Sequence, residues 1–400
     1  MTATMKGSLY ASTAICAVAL LHGQTARADG IELGLSGFTN TLFSAGGINA
    51  TGSRDYGGDV EPDYNATGLW ADGEVHFLGS YKHDNGITFG ANIEMEIFAS
   101  STSDDTISQH YIYVEGDFGR IEAGSRDSAA YQMHYAAPVV GLPINSGWVT
   151  VFIPANGDSA ADGYTPAIST YIDFGNQENT LTYYTPRIQG FQLGLSYAPS
   201  VSFSGDGQNF PVEADRNTQY SNGFSVGANY VEEFGELGVA LSVGYSRSEV
   251  SDDLSSMGAD DYQGIALGAN FSYAGVTIGG AYANAFDGLA YAVDDPISGG
   301  TNLHSLEGQS WNVGLAYNTG PWTVGGEYFQ GEVEGYVPGY ATNVVGPGND
   351  DKLYAATGGV SYALGPGIDL IGGVMYGRWS AESGAVNTGV IAAGGITLNF

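Results

Sequence analysis

Between Leu237 and Tyr245 every second residue is large and apolar, namely Leu237, Val239, Leu241, Val243 and Tyr245, and the residues between are Gly238, Ala240, Ser242 and Gly244. The same period returns at Ile265, Leu267, Ala269, Phe271 and Tyr273, and again at Trp311, Val313, Leu315 and Tyr317. A period of two marks strands whose two faces meet different surroundings. Here one face is greasy and ends in an aromatic residue, while the other is mostly Gly, Ala, Ser and Asn. A strand of a soluble sandwich would turn its greasy face to a core and a charged face to water. The observed pattern suits a wall with lipid outside and water inside. After residue 28 no apolar run reaches the ~20 residues that a membrane helix needs.

The punctuation between these strands has its own rhythm. Tight-turn sequences occur at His83-Asp84-Asn85-Gly86, Gly116-Asp117-Phe118-Gly119, Ala274-Gly275, Thr319-Gly320-Pro321 and Gly365-Pro366-Gly367, with two more at residues 186–190 and 232–236. Long polar stretches alternate with them at residues 46–68, 100–108, 125–178, 200–220, 251–261, 286–309, 331–351 and 381–387. Seven turns and eight loops in strict alternation predict an all-β fold, a sixteen-stranded antiparallel transmembrane β-barrel with both termini on the short-turn side.

Residues 1–28 read as an export leader. Met1 to Lys6 is a short basic start, Ala11 to Leu21 is apolar, and Ala26-Arg27-Ala28 is an A-x-A cleavage site. The mature chain is expected to start at Asp29, with residues 29–400 forming one barrel domain. The single cysteine, Cys16, lies in the leader, so the mature chain is expected to carry no disulfide or thiolate metal site.

Charge is scarce and one-sided. Only 14% of residues are charged, and 43 are acidic against 11 basic. That balance argues against nucleic-acid binding, which needs basic patches.

The early strand Ile31-Glu32-Leu33-Gly34-Leu35-Ser36-Gly37, the hairpin Gly116-Asp117-Phe118-Gly119-Arg120-Ile121-Glu122-Ala123-Gly124 and the final strand Ile396-Thr397-Leu398-Asn399-Phe400 resemble the general diffusion porins of Gram-negative bacteria, nearest their alphaproteobacterial branch. The resemblance spans residues 29–400. It implies a homotrimer in the bilayer and lipopolysaccharide of the outer membrane, passing small hydrophilic solutes, with the third long loop folded inward. This chain departs from the pattern in that loop, which is rich in Ala, Pro and Ser and less acidic than the resemblance implies.

Strand parity then nominates a pore lining. If Val75, Phe77 and Tyr81 face outward, Glu74, His76 and Lys82 face the lumen. Likewise Ile93, Met95 and Ile97 leave Glu94 and Glu96 inside, and Ile121 and Ala123 leave Arg120, Glu122 and Arg126 inside. Asp127, Asp158 and Asp162 fall on the inward loop. The acidic excess predicts a cation-preferring channel. The competing readings are a surface adhesin or a structural barrel with a plugged lumen, and then a barrel enzyme. Catalysis has little footing, because His76, His83, His110, His134 and His304 sit in no nucleophile motif. His110 has lipid-face parity but no evident serine partner. No cofactor or metal centre is expected beyond weak calcium binding at acidic loop runs such as Asp104-Asp105 and Asp350-Asp351.

Overall fold

Each alternating segment becomes a strand, and the strands close on themselves. The computed structural model of the chain describes residues 26–28, 30–51, 63–97, 107–146, 149–154, 167–175, 177–201, 220–256, 258–287, 290–294, 301–305, 307–334, 350–381 and 384–400. The proposed leader, apart from Ala26–Ala28, lies outside them.

Sixteen antiparallel strands form the wall. They are β1 (Ile31–Thr51), β2 (Thr67–Lys82), β3 (Thr88–Glu96), β4 (Ile107–Gly116), β5 (Gly119–Ser125), β6 (Asn179–Tyr184), β7 (Phe191–Val201) and β8 (Tyr220–Phe234). The circuit continues through β9 (Leu237–Val250), β10 (Tyr262–Tyr273), β11 (Val276–Asp287), β12 (Gly308–Thr319), β13 (Trp322–Glu334), β14 (Asp350–Gly365), β15 (Ile368–Ser380) and β16 (Val386–Asn399). Each strand pairs with the next, and β16 pairs with β1 from Val386↔Thr51 to Asn399↔Phe38. At the foot of that seam Gly37 and Phe400 exchange two backbone hydrogen bonds, 2.8 and 3.0 Å long. Lipid offers no partner to a bare sheet edge, so closure satisfies every strand.

The tight turns work as their residues predict. Ala274 and Gly275 both take positive φ, 50° and 83°, and join the register pair Tyr273↔Val276. Two successive residues of that kind are what a two-residue hairpin needs to match strand twist. The fifth long loop holds a short helix, Asp252–Ser256, and the sixth a small hairpin of Ala290–Asp294 with Thr301–Ser305. Neither was expected from the sequence.

Parity holds on the outside. Val243, Leu267 and Phe271 are 50%, 47% and 48% exposed. Val239 shares their parity but is only 8% exposed; it sits between its register partners Glu232 and Phe271. Aromatic pairs such as Trp311–Tyr328 and Trp322–Tyr362, with centroids 5.2 and 4.5 Å apart, supply the rings that barrels place at membrane interfaces.

The inner face corrects one expectation. Much of its small-residue lining meets protein rather than water. The third long loop enters the barrel after β5, with α1 (Ala129–Gln132) and α2 (Val149–Phe152) along its path. It lies along the wall. Serines of the wall accept hydrogen bonds from its backbone: Ala129 N–H donates to Ser196 Oγ at 2.8 Å, Ala130 N–H to Ser225 Oγ at 2.9 Å and Tyr135 N–H to Ser242 Oγ at 2.9 Å. Ser310 Oγ donates to the Ser169 carbonyl on the returning limb at 2.9 Å. Glycines give the closest approach. A Cβ on Gly268 would overlap the Tyr135 carbonyl, and one on Gly359 the Val140 carbonyl. Farther round, Leu142, Ile144, Val149, Phe152 and Ile153 of the loop pack with Leu42, Phe329, Leu353, Met375 and Trp379 of the wall. Trp379 Nε1–H donates to the Ile153 carbonyl at 3.0 Å. The core of this barrel is therefore inside it.

Candidate pore-lining site

No described residue of the three buried apolar clusters belongs to β3–β6. Charge gathers on β2–β5 instead. Glu74 and His76 stand two residues apart on one face of β2, and the register sets His76 opposite Glu94 and Glu74 opposite Glu96. His76 Nε2 lies 3.3 Å from Glu74 Oε2 and Nδ1 lies 3.9 Å from Glu94 Oε1. Ser108 Oγ donates to Glu74 Oε1 at 2.8 Å, and Asn92 Nδ2 donates to Glu94 Oε1 at 2.7 Å.

Beside this group stands a ladder of alternating sign. Arg120 Nε and Arg126 Nε each lie 2.6 Å from a carboxylate oxygen of Glu122. Arg120 also reaches Glu115 at 3.0 Å, and Arg126 Nη1 stands 3.9 Å from Glu94 Oε1. Each guanidinium lies over a ring, Arg120 over Tyr113 at 3.8 Å and Arg126 over Tyr111 at 4.2 Å, which holds its plane and favours its charge. Arg126 is the first residue past β5. Burial opposes its charge, but Glu122 outweighs that and keeps its pKa above the ordinary guanidinium range.

Asp127 accepts from Gln109 Nε2 and Gln132 Nε2, both at 3.2 Å. Asp173, on the returning limb, accepts from the Ser128 and Phe174 backbone N–H groups at 2.9 and 2.7 Å. Burial pushes the pKa of both carboxyls upward; Arg126 pulls Asp127 part of the way back while Glu94 and Glu74 add to its rise, and Asp127 adds to that of Asp173. Burial pushes His134 down to about 3. Its Nε2 lies 3.2 Å from Thr170 Oγ1, and Thr170 Oγ1 accepts from Asn145 Nδ2 at 2.8 Å. The Thr170 proton is then free for the neutral imidazole.

Of the residues nominated from the sequence, Glu74, His76, Glu94, Glu96, Glu122, Arg120 and Arg126 by parity and Asp127 by its place on the inward loop fall on this one patch. Lys82 does not. It ends β2 at the short-turn rim, exposed, and six residues from His76 is about 20 Å along a strand. Asp158 and Asp162 lie outside the described residues.

The sequence reading missed Ser108, Gln109, Tyr111 and Tyr113, whereas the parity that put Glu94 inside also puts Asn92 there. Parity alone puts Gln109, Tyr111 and Tyr113 opposite Ile112, which is 62% exposed. Ser108 is different. The register steps from Glu94↔Gln109 to Met95↔Ile107, so Ser108 is the extra residue of a bulge, where simple alternation fails. The serine in register with His110 is Ser125, and its hydroxyl donates to the Gln177 carbonyl at 2.6 Å.

The family profile described as Gram-negative porin matches residues 11–381. An uncharacterized protein of Rickettsia felis is 22% identical over 357 residues, covering 75% of this chain and 79% of its own. One of Rickettsia typhi is 21% identical over 316 residues, covering 64% and 70%. A porin structure refined at 1.8 Å resolution superposes with a TM-score of 0.55 at 16% identity, across 92% of this chain and 100% of that one. Salmonella typhi OmpF, in a complex with daunomycin, gives 0.57 at 17% identity, across 94% and 100%. At these identities the solved structures speak for the fold. The family match over most of the length and the closed sixteen-stranded wall together make this chain an outer-membrane barrel of the Gram-negative porin family.

Proposed function

We propose that this porin carries small hydrophilic solutes and ions by passive diffusion and prefers cations. One observation carries the reading. Among the described residues of β2–β5 and the start of the inward loop, six acids, namely Glu74, Glu94, Glu96, Glu122, Asp127 and Asp72 two residues before Glu74 on β2, gather with Arg120, Arg126 and His76. A carboxylate about 6 Å from a passing ion contributes roughly 0.7 kcal/mol at water-like dielectric, about threefold in partition. Acids on distant loops count for little, because salt at ~0.1 M screens beyond about 10 Å. The porin works as a homotrimer in this proposal, in contact with lipopolysaccharide, as its resemblance to the diffusion porins implies.

The test is a reversal potential across a planar bilayer in a salt gradient. Unmodified protein should favour cations, and the double change Glu94→Gln with Glu96→Gln should lower the cation-to-anion ratio, most at low salt. Anion preference in the unmodified protein would refute the reading. The apolar cluster that the loop builds against β13–β16 and β1 favours a second reading, a plugged barrel. Absence of ion-conducting events would select it.

A further inference from the structure

We propose that Glu74, His76 and Glu94 form a binding site in the pore wall for a borderline divalent cation of the zinc type. One ligand atom from each of these residues lies within 4.8 Å of one from each of the others. Tetrahedral ligands about 2.1 Å from an ion stand about 3.4 Å apart, so modest side-chain rotation closes the set. The donors are one imidazole and two carboxylates. A carboxylate pair alone suits calcium or magnesium, whereas imidazole draws zinc, nickel or copper. Three protein ligands leave a position for water, as in exchangeable zinc sites.

Two features beyond proximity fit a built site. The ligands come from adjacent rigid strands, fixed by the register pair His76↔Glu94. Each carboxylate is also aimed by a donor of its own, Ser108 on Glu74 at 2.8 Å and Asn92 on Glu94 at 2.7 Å. Outer partners of that kind orient metal ligands. The surrounding charge is favourable as well. Arg126 approaches Glu94 only to 3.9 Å and is held at 2.6 Å by Glu122, while Asp72 and Glu96 flank Glu74 along the strand and across it. A bound divalent ion would cancel the charge of Glu74 and Glu94, the groups credited above with cation preference. That consequence rests on the channel reading; the binding does not.

Equilibrium dialysis of the folded, detergent-solubilised barrel against zinc chloride tests the site, with metal content measured per chain. The unmodified protein should take up one saturable zinc ion that millimolar calcium does not displace. His76→Gln and Glu94→Gln should each weaken uptake by about tenfold or more, and His110→Gln should leave it unchanged. Heat-shifted migration on a gel checks that each variant is folded; should His76→Gln not fold, Glu94→Gln decides. The proposal is overturned if the unmodified protein shows no saturable zinc, if folded variants bind as it does, or if calcium competes on equal terms. In bilayers, zinc that binds should move the reversal potential toward lower cation preference. Binding without that movement leaves the site standing and counts against the cation reading alone.

Discussion

Removing the hydroxyls that hold the inward loop should loosen the loop and leave the barrel intact. Consider Ser196→Ala, Ser225→Ala and Ser242→Ala together. Each serine accepts a loop N–H, from Ala129, Ala130 and Tyr135, at 2.8 to 2.9 Å. The three serines are 1%, 0% and 9% exposed, so water does not readily replace them. A buried donor left without an acceptor costs about 1–3 kcal/mol, which puts the triple variant at roughly 3–9 kcal/mol against the docked loop. Ser196 and Ser225 are register partners, so their share will not add simply. The strand ladder runs through the backbone and is untouched. Amide hydrogen exchange should therefore speed up for residues 129–137, while wall amides stay protected and the protein still migrates as a folded barrel. Single-channel conductance should change with it. Ser272→Ala is the control, on the same wall but with no hydrogen-bond partner at its hydroxyl. Unchanged exchange at residues 129–137 in the triple variant would refute the reasoning.

Two further outcomes are expected. Val243→Arg or Leu267→Arg puts a charge into lipid and should lower barrel stability by about 2–4 kcal/mol near the midplane in reversible unfolding; Ser242→Arg should instead dislodge the loop, and equal barrel losses on the two faces would contradict the assigned parity. His134 is neutral in the fold, its pKa pushed by burial from 6.5 to about 3, so its contribution to loop docking is present above pH 6.5 and lost as pH falls toward 3, by about 1.4 kcal/mol per unit. Asp127 and Asp173 are shifted upward and act with the opposite sign, so the comparison that isolates the histidine is the unmodified protein against His134→Asn, read by loop exchange. Identical pH profiles for the two would remove His134 from the account.

The strand count, the closure and the outward face were legible because each rests on local rules. Alternation such as Leu241, Val243 against Ser242, Gly244 is decided within a strand, and turns such as Ala274-Gly275 are decided within two residues. The fifth loop ends where the sequence put it, with β9 stopping at Val250 and β10 starting at Tyr262. What the inner face touches was not legible. Gly and Ser look alike whether they border water or a packed loop, since both settings ask for small side chains. Only the approach of Tyr135 to Gly268 and Ser242, more than a hundred residues away in sequence, separates the two.

The same ambiguity explains why the charged patch was nominated residue by residue but not as a unit. Parity gave Glu74, His76 and Glu94 a common side, yet parity carries no information on register between strands. Once β2 and β3 are aligned so that His76 faces Glu94, the three become neighbours, and the bulge at Ser108 brings in a donor that strict alternation would have sent to the lipid. The division of labour around the barrel then has a physical cause. Where the wall offers glycine and serine, the loop can lie flat and exclude water. On β3–β5, Tyr111, Tyr113, Glu94 and Glu122 fill that space; Glu122 pairs with Arg120 and Arg126, and Glu94 is held by Asn92 and stands beside His76 and Arg126. Glu94 and Glu122 are already 7% and 3% exposed, so a loop packed against them would have to match the partners they hold, and stripping an ion of its partner costs several kcal/mol. The loop therefore settles on the small-residue wall, and the charged groups of β2–β5 keep their own network of partners.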